Sequence, residues 1–241
     1  RLSRKEGFDE LEFNFLVLYA NSLTNRGSFK KTDSIFSIVY PLSKKLELEN
    51  DPAFGVAKAN YLSAIGEKME AVKIFERVGR EYKISDMENY GVILINIGEI
   101  YKDLGLYRQS ISNFLNALEV FNKLKNKKRQ AFARQHLATC YMRNDQLDSA
   151  FYHLQKGYDL ALYHSSNVEM ARYYSALGNI YRRKRQYKKA HFYVDSSIFL
   201  AKVNGFPIGV VINQINKSEI FYDQKEFKSA LSLLQQVQSN V

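Results

Sequence analysis

Aligned on itself with a shift of 80 residues, the chain places Gly98 on Gly178, Tyr101 on Tyr181 and Tyr107 on Tyr187. Halfway between lies "LATCYMRNDQLDSAFYHLQKG", with Ala138, Tyr141 and Leu147 in the matching places, so the period is 40. A period of that length confines the fold to a stack of small units, each of which must cover its neighbour because it cannot bury its own apolar faces alone. Counting from Gly91, Ala131, Ala171 and Val211, and backwards in steps of 39 to Pro52 and Phe13, six units fill the chain: about 13–51, 52–90, 91–130, 131–170, 171–210 and 211–241.

Within a unit, positions 4, 7, 8 and 11 are mostly apolar or small, as in Leu94, Ile97, Gly98 and Tyr101, and this spacing is one face of a helix. Positions 17, 20, 24 and 27, as in Tyr107, Ser110, Phe114 and Ala117, form the stripe of a second helix. The turn between them centres on position 15, held by Gly27, Gly66, Gly105, Asp145, Arg185 and Lys225. Glycine and aspartate suit a reversal that needs positive φ; arginine and lysine suit it less. The joints carry their own signals. Asp51 before Pro52 reads as an N-cap followed by the first helical residue, and Asn204-Gly205 followed by Pro207 reads as a stop and a new start. "SDME", with Ser85 and Glu88, and "SNVE", with Ser166 and Glu169, read as capping boxes that open the third and fifth repeats.

Three prolines, twelve glycines and 46% apolar residues agree with an all-α chain that has a real core. The single cysteine, Cys140, excludes an internal disulfide and a cysteine-built zinc site, and is expected as a small buried group. The most apolar run, "FNFLVLYA", is too short to span a bilayer and is interrupted by Asn21, Thr24 and Asn25. The chain starts at Arg1, so a processed or excised piece of a longer protein is expected, with the compartment, cytoplasmic or periplasmic, left open.

The spacing of Leu177, Gly178, Tyr181 and Ala190 resembles the small-residue and aromatic pattern of the tetratricopeptide repeat, over essentially residues 13–241. The resemblance implies a right-handed superhelical solenoid of about six antiparallel helix pairs, read as a single domain over 1–241. The usual repeat is about 34 residues. Forty implies longer helices, as in the repeats of bacterial signalling regulators, peptide-pheromone receptors and polarity adaptors. The tryptophan position of the family holds Leu94, Arg134, Tyr174 and Gln214 here, and its proline near position 32 is absent.

The same resemblance implies that first helices line a concave groove through positions 2, 5, 6, 9, 12 and 13. Those positions supply Asn21 and Asn60 from the first two repeats and Asn96, Glu99 and Lys102 from the third. The fourth gives Phe132, Gln135, His136, Thr139 and Arg143; the fifth, Arg172, Asn179, Arg182 and Arg183; the sixth, Asn216, Glu219 and Tyr222. An asparagine at position 9, as in Asn21, Asn60 and Asn179, can both donate to and accept from a peptide backbone. A strict carboxylate clamp is not expected, because Val17 stands where its first lysine would be.

The net charge of +10 is unevenly spread: residues 171–210 hold eight Lys and Arg against one carboxylate, Asp195. Within them "YRRKRQYKK", Tyr181 to Lys189, packs six basic residues into nine, and "KNKKR" at Lys125 to Arg129 forms a smaller cluster. His136, His153, His164 and His191 have no carboxylate or cysteine at ligand or triad spacing, and no phosphate-binding glycine loop occurs. The lack of such chemistry points to a non-catalytic domain without metal or cofactor, and the resemblance implies that it binds a peptide or protein in its groove. The family resemblance further implies the sensory or regulatory region of a larger bacterial signalling protein, a histidine kinase or transcriptional regulator. Two other readings are an adaptor whose fifth repeat meets an acidic protein segment, and a nucleic-acid binder using the basic clusters. The exposed apolar end of "SALSLLQQVQSN" calls for self-association or further chain to cover it.

Overall fold

The computed structural model describes residues 2–161 and 167–239, and these residues hold twelve α-helices and no strand. They fall into two compact units, Arg1–Gly105 and Leu106–Val241. The first contains α1 (Leu2–Asn25), α2 (Phe29–Lys45), α3 (Pro52–Ala64), α4 (Lys68–Ser85) and α5 (Met87–Asp103). The second contains α6 (Tyr107–Lys123), α7 (Lys127–Arg143), α8 (Leu147–Ala161), α9 (Asn167–Arg183), α10 (Tyr187–Val203), α11 (Pro207–Asp223) and α12 (Phe227–Ser239). The two helices expected in each repeat are present.

In the first unit α1 packs on α2 and α3, α3 on α4, and α4 on α5. Phe13, Val17, Phe36, Val39 and Phe54 form one core cluster; Val72, Phe75, Val78, Ile93 and Ile97 form the next. In the second unit every helix packs on the one that follows, and the first helices also touch in sequence, α7 on α9 and α9 on α11. Close approach rests on position 8 (Ala20, Ala59, Gly98, Ala138, Gly178, Ser218) and position 20 (Thr32, Ala71, Ser110, Ala150, Ala190, Ala230), all buried. A larger side chain there would hold the helices apart.

The single stripe expected on a first helix is only half of what is buried. In the second unit position 4 (Arg134, Tyr174, Gln214) is partly exposed, while position 10 (Cys140, Ile180, Ile220) is fully buried. The reason is that a first helix is covered twice, by its own partner and by the second helix of the repeat before. Phe54 at position 3 lies against Phe36 and Tyr40 of α2. Tyr61 at position 10 bonds Asp33 of α2, Cys140 Sγ lies 3.1 Å from Ser110 Oγ of α6, and Lys217 at position 7 pairs with Asp195 of α10 at 2.7 Å.

All six residues at position 15 have positive φ: Gly27, Gly66, Gly105, Asp145, Arg185 and Lys225. The reversal is a Schellman motif. At the end of α9 the Arg185 N–H donates to the Arg182 carbonyl at 2.8 Å and the Gln186 N–H to the Tyr181 carbonyl at 2.9 Å. The same pair recurs at Asp145 and Lys225, so backbone geometry overrides side-chain preference. An L-residue held there costs about 1 kcal/mol or more relative to glycine. Arg185→Gly and Lys225→Gly should each raise the urea midpoint by the equivalent of about 1 kcal/mol, since glycine adopts the native angle without strain. An unchanged or lower midpoint in both would contradict this account.

Two joint signals hold as read. Asp51 caps α3, its Oδ1 accepting from the Phe54 N–H at 2.8 Å, and Gly205 (φ 62°) closes α10 before Pro207 opens α11. The third is corrected. Ser85 is the last residue of α4, its hydroxyl donating to the Glu81 carbonyl, and Asp86 caps α5 through the Asn89 N–H at 3.0 Å. One extended residue (φ −151°, ψ 92°) is the whole joint, so the cap must be Asp86. Ser166 lies outside the described residues.

Candidate functional site

In the first unit, the first helices bring the predicted asparagines together. Asn60 Nδ2 on α3 donates to Asn21 Oδ1 on α1 at 2.8 Å. Asn60, Asn96 and Glu99 line a cleft of about 450 Å³ with Thr24, Ser63 and Asp103. Asn96 and Asn21 also share a smaller, more apolar hollow of about 180 Å³ with Val17, Val56 and Tyr82. The carboxylates of the larger cleft are paired: Asp103 with Lys68, also on its lining, at 3.0 Å, and Glu99 with Lys102 on the same helix.

In the second unit, α7, α9 and α11 are tied side by side through their polar positions. Asn216 Nδ2 donates to Ser175 Oγ at 3.1 Å. Arg182 pairs with Glu219 at 3.0 Å and Asp223 at 2.7 Å on α11; Arg183 reaches back to the Met142 carbonyl and to Asp145 at 2.7 Å. Lys184 pairs with Asp148 at 2.7 Å, and Lys189 Nζ lies over the Tyr181 ring. Most of the basic run therefore meets carboxylates of adjacent repeats or a ring of its own, which a ligand would have to displace.

The other predicted residues are placed as follows. Gln135 and Asn179 are half-buried, and Arg143 is exposed. The His136 ring packs between Phe114 and Phe132, with centroids 5.2 and 4.3 Å away. Arg172 is exposed at the start of the α9 face, its guanidinium over Phe206, and Tyr222 is exposed with its ring against Phe227. Asn21, Asn60, Asn96 and Glu99 thus lie in the first unit, and the remaining eight in the second.

A further apolar line was missed. Ile208, Ile212 and Ile215 are all exposed on α11, and with Tyr222 they follow one helical face. Ile212 and Ile215 occupy positions 2 and 5, so the signal was present as apolar residues at ligand-facing positions.

Among the described residues no three His, Cys, Asp or Glu side chains gather as a metal site, and no helix is long and apolar enough to cross a membrane. His153 is buried on α8 with its ring stacked on Tyr141, and burial next to the Arg134 charge pushes its pKa down to about 4. His164 lies outside the described residues.

Residues 89–162 match the family model described as tetratricopeptide repeat. No curated protein matches the sequence. Among solved structures, aspartyl phosphate phosphatase F from Bacillus subtilis is 11% identical with a TM-score of 0.78, covering 98% of this chain and 72% of that one. The signal transduction ATPase with a tetratricopeptide repeat sensor from Pyrococcus horikoshii is 16% identical with a TM-score of 0.76, covering 96% of this chain and 37% of that one. NprR in complex with its cognate peptide NprX is 16% identical with a TM-score of 0.71, covering 95% of this chain and 66% of that one. The fold is that of the tetratricopeptide-repeat solenoids.

Proposed function

We propose that this is a non-catalytic peptide-binding repeat domain and that its ligand lies along α11 and α9. The observation that carries the reading is the exposed line Ile208, Ile212, Ile215 and Tyr222 on α11, a helix tied through Asn216–Ser175 and Arg182–Glu219 to α9, which carries Arg172 and Asn179. Isoleucines facing solvent on the helices that contact each other in series offer apolar pockets to a peptide's side chains, while the amide of Asn179 can hold its backbone. Arg172 favours a ligand with a carboxylate near that end. In the first unit, the Asn60–Asn21 bond uses one N–H of Asn60 and the oxygen of Asn21, so the amide donors of Asn21 and the oxygen of Asn60 offer a second place for an extended backbone.

The wider role we assign is the regulatory or sensory region of a bacterial signal-transduction protein. It is supported by the likeness in fold to NprR, solved with its cognate peptide, and to a signal transduction ATPase with a tetratricopeptide repeat sensor. The nucleic-acid reading is less well supported, because Arg182, Arg183 and Lys184 already face carboxylates.

The test is fluorescence polarisation with a labelled peptide selected from a display library on this protein. Ile212→Glu and Asn179→Ala should each weaken binding about tenfold or more, while Lys30→Ala in the first unit leaves it unchanged. Equal affinity in all variants would remove the site from α11 and α9. A parent gene encoding a kinase or DNA-binding domain alongside would support the regulatory role; a reading frame of this region alone would overturn it.

A further inference from the structure

Positions 22 and 29 of a repeat lie on the solvent side of its second helix. Position 22 holds Ser34, Lys73, Ser112, Tyr152, Phe192 and Ser232, and every one is exposed. Position 29 of the first five repeats holds Pro41, Arg80, Glu119, Asp159 and Phe199, again all exposed. The fold therefore requires no apolar side chain at either place, yet the fifth repeat puts phenylalanine at both, 66% and 65% exposed. That repeat has a helix pair on either side, α7 and α8 before it and α11 and α12 after it, so the stacking of repeats leaves the two rings uncovered.

The rings stand in a basic setting. Along α10, Lys188, Phe192, Phe199, Lys202 and Val203 follow one face at helical spacing, and all are exposed. Lys188, Lys202 and, in the turn before the helix, Arg185 have no carboxylate partner among the described residues. The one carboxylate on this face, Asp195, is held by Lys217 of α11 at 2.7 Å. Cations that the pairing between repeats leaves over are thus gathered around two rings that face water.

We propose that this face of α10 docks on an anionic membrane surface, with Phe192, Phe199 and Val203 entering the headgroup layer and Lys188, Lys202 and Arg185 meeting lipid phosphates. The opposite side of α10 buries Ala190, Val194, Ser197 and Ala201, so the helix keeps its place among the repeats while its outer side meets the lipid. The charge selects an acidic partner, and the layout of the rings selects lipid over protein. Two turns, about 10 Å, separate Phe192 from Phe199, and Asp195 and Ser196 stand between them. A protein interface is built around a contiguous buried centre, which this spacing breaks up. A fluid interface takes each ring separately and needs no shaped pocket, and helices that lie on membranes combine aromatic and basic side chains in this way. Each cation near an anionic leaflet adds its own attraction, which salt screens.

Co-sedimentation with vesicles of phosphatidylglycerol and phosphatidylcholine in equal parts, against vesicles of phosphatidylcholine alone, reads the binding. The mixed vesicles should bind at low salt, about tenfold or more above the neutral ones. Phe192→Ser with Phe199→Ser should weaken that binding about tenfold or more. Its far-ultraviolet circular dichroism should be unaltered, since serine already stands at position 22 in Ser34, Ser112 and Ser232. The chain has no tryptophan, so Phe192→Trp supplies a single reporter whose emission should move to shorter wavelength on the mixed vesicles. No binding to the mixed vesicles overturns the proposal. So does a double serine variant that binds them as wild type does, or a reporter whose emission stays put, since charge alone would then hold the protein. Vesicles left unbound while polyglutamate binds, and binds less to the double variant, would overturn it in favour of an acidic protein.

Discussion

Gly178→Leu should destabilise the second unit by about 3 kcal/mol, at the upper end of what overpacking a core usually costs. A Cβ on Gly178 would already stand 2.4 Å from Val194 Cγ2 and 3.4 Å from the Ala190 carbonyl. Val194 is fully buried, and its branched side chain has one strongly preferred rotamer in a helix, so it cannot turn aside without strain. The remaining escape is separation of α9 from α10, which gives up contacts along both helices. The measurement is a thermal melt, with a fall of about 6 to 12 °C expected for a unit of this size. Gly178→Ala with Val194→Ala separates clash from chemistry: the added methyl fills space that the valine vacates, so the double variant should be more stable than the sum of the single effects. Additive losses would show that the two side chains do not share that space.

Acidification should weaken the fold through His153. An unfolded histidine takes up a proton near its ordinary value of 6.5, whereas the folded His153 resists until about pH 4. Between those values the unfolded chain binds more protons, so stability is present at neutral pH and is lost as pH falls. From pH 7 to pH 5 the loss amounts to about 2 kcal/mol, before most carboxylates begin to titrate. The ring has no room to be solvated: it lies flat on Tyr141 at 5.3 Å, Tyr152 meets it edge-on, and its Nδ1 has no hydrogen-bond partner. Urea midpoints at the two pH values give the slope for wild type, and His153→Phe, which keeps the stack, should flatten most of it. An equal slope in the variant would assign the titration elsewhere.

The helices and their joints were largely legible in the sequence because they depend on residues close in the chain. Position 15 could be located although its six residues are three glycines, an aspartate, an arginine and a lysine, since the repeat aligned them, but only the backbone shows that Arg185 and Lys225 adopt the glycine conformation. The second buried stripe was harder to read. Ile180 and Ile220 look like any apolar residue until the covering helix of the previous repeat is in place. The basic run is the clearest case of information held at a distance. Its density invited a ligand, yet Arg183 and Lys184 meet Asp145 and Asp148 of the previous repeat, and Arg182 meets Glu219 and Asp223 of the next. The exposure of Ile212 and Ile215 was not legible, because apolar character suggests a core until the covering helices are in place.

Those ion pairs give the row of repeats an address system. Each exposed pair adds little to stability, on the order of 0 to 1 kcal/mol. Taken together, however, they favour the fifth repeat between a predecessor with acidic residues at Asp145 and Asp148 and a successor with them at Glu219 and Asp223. Moving that repeat elsewhere would strand cations on one side and carboxylates on the other. Units that share a backbone plan are therefore not interchangeable cassettes, and the order of this chain is written in its charges as well as in its covalent sequence.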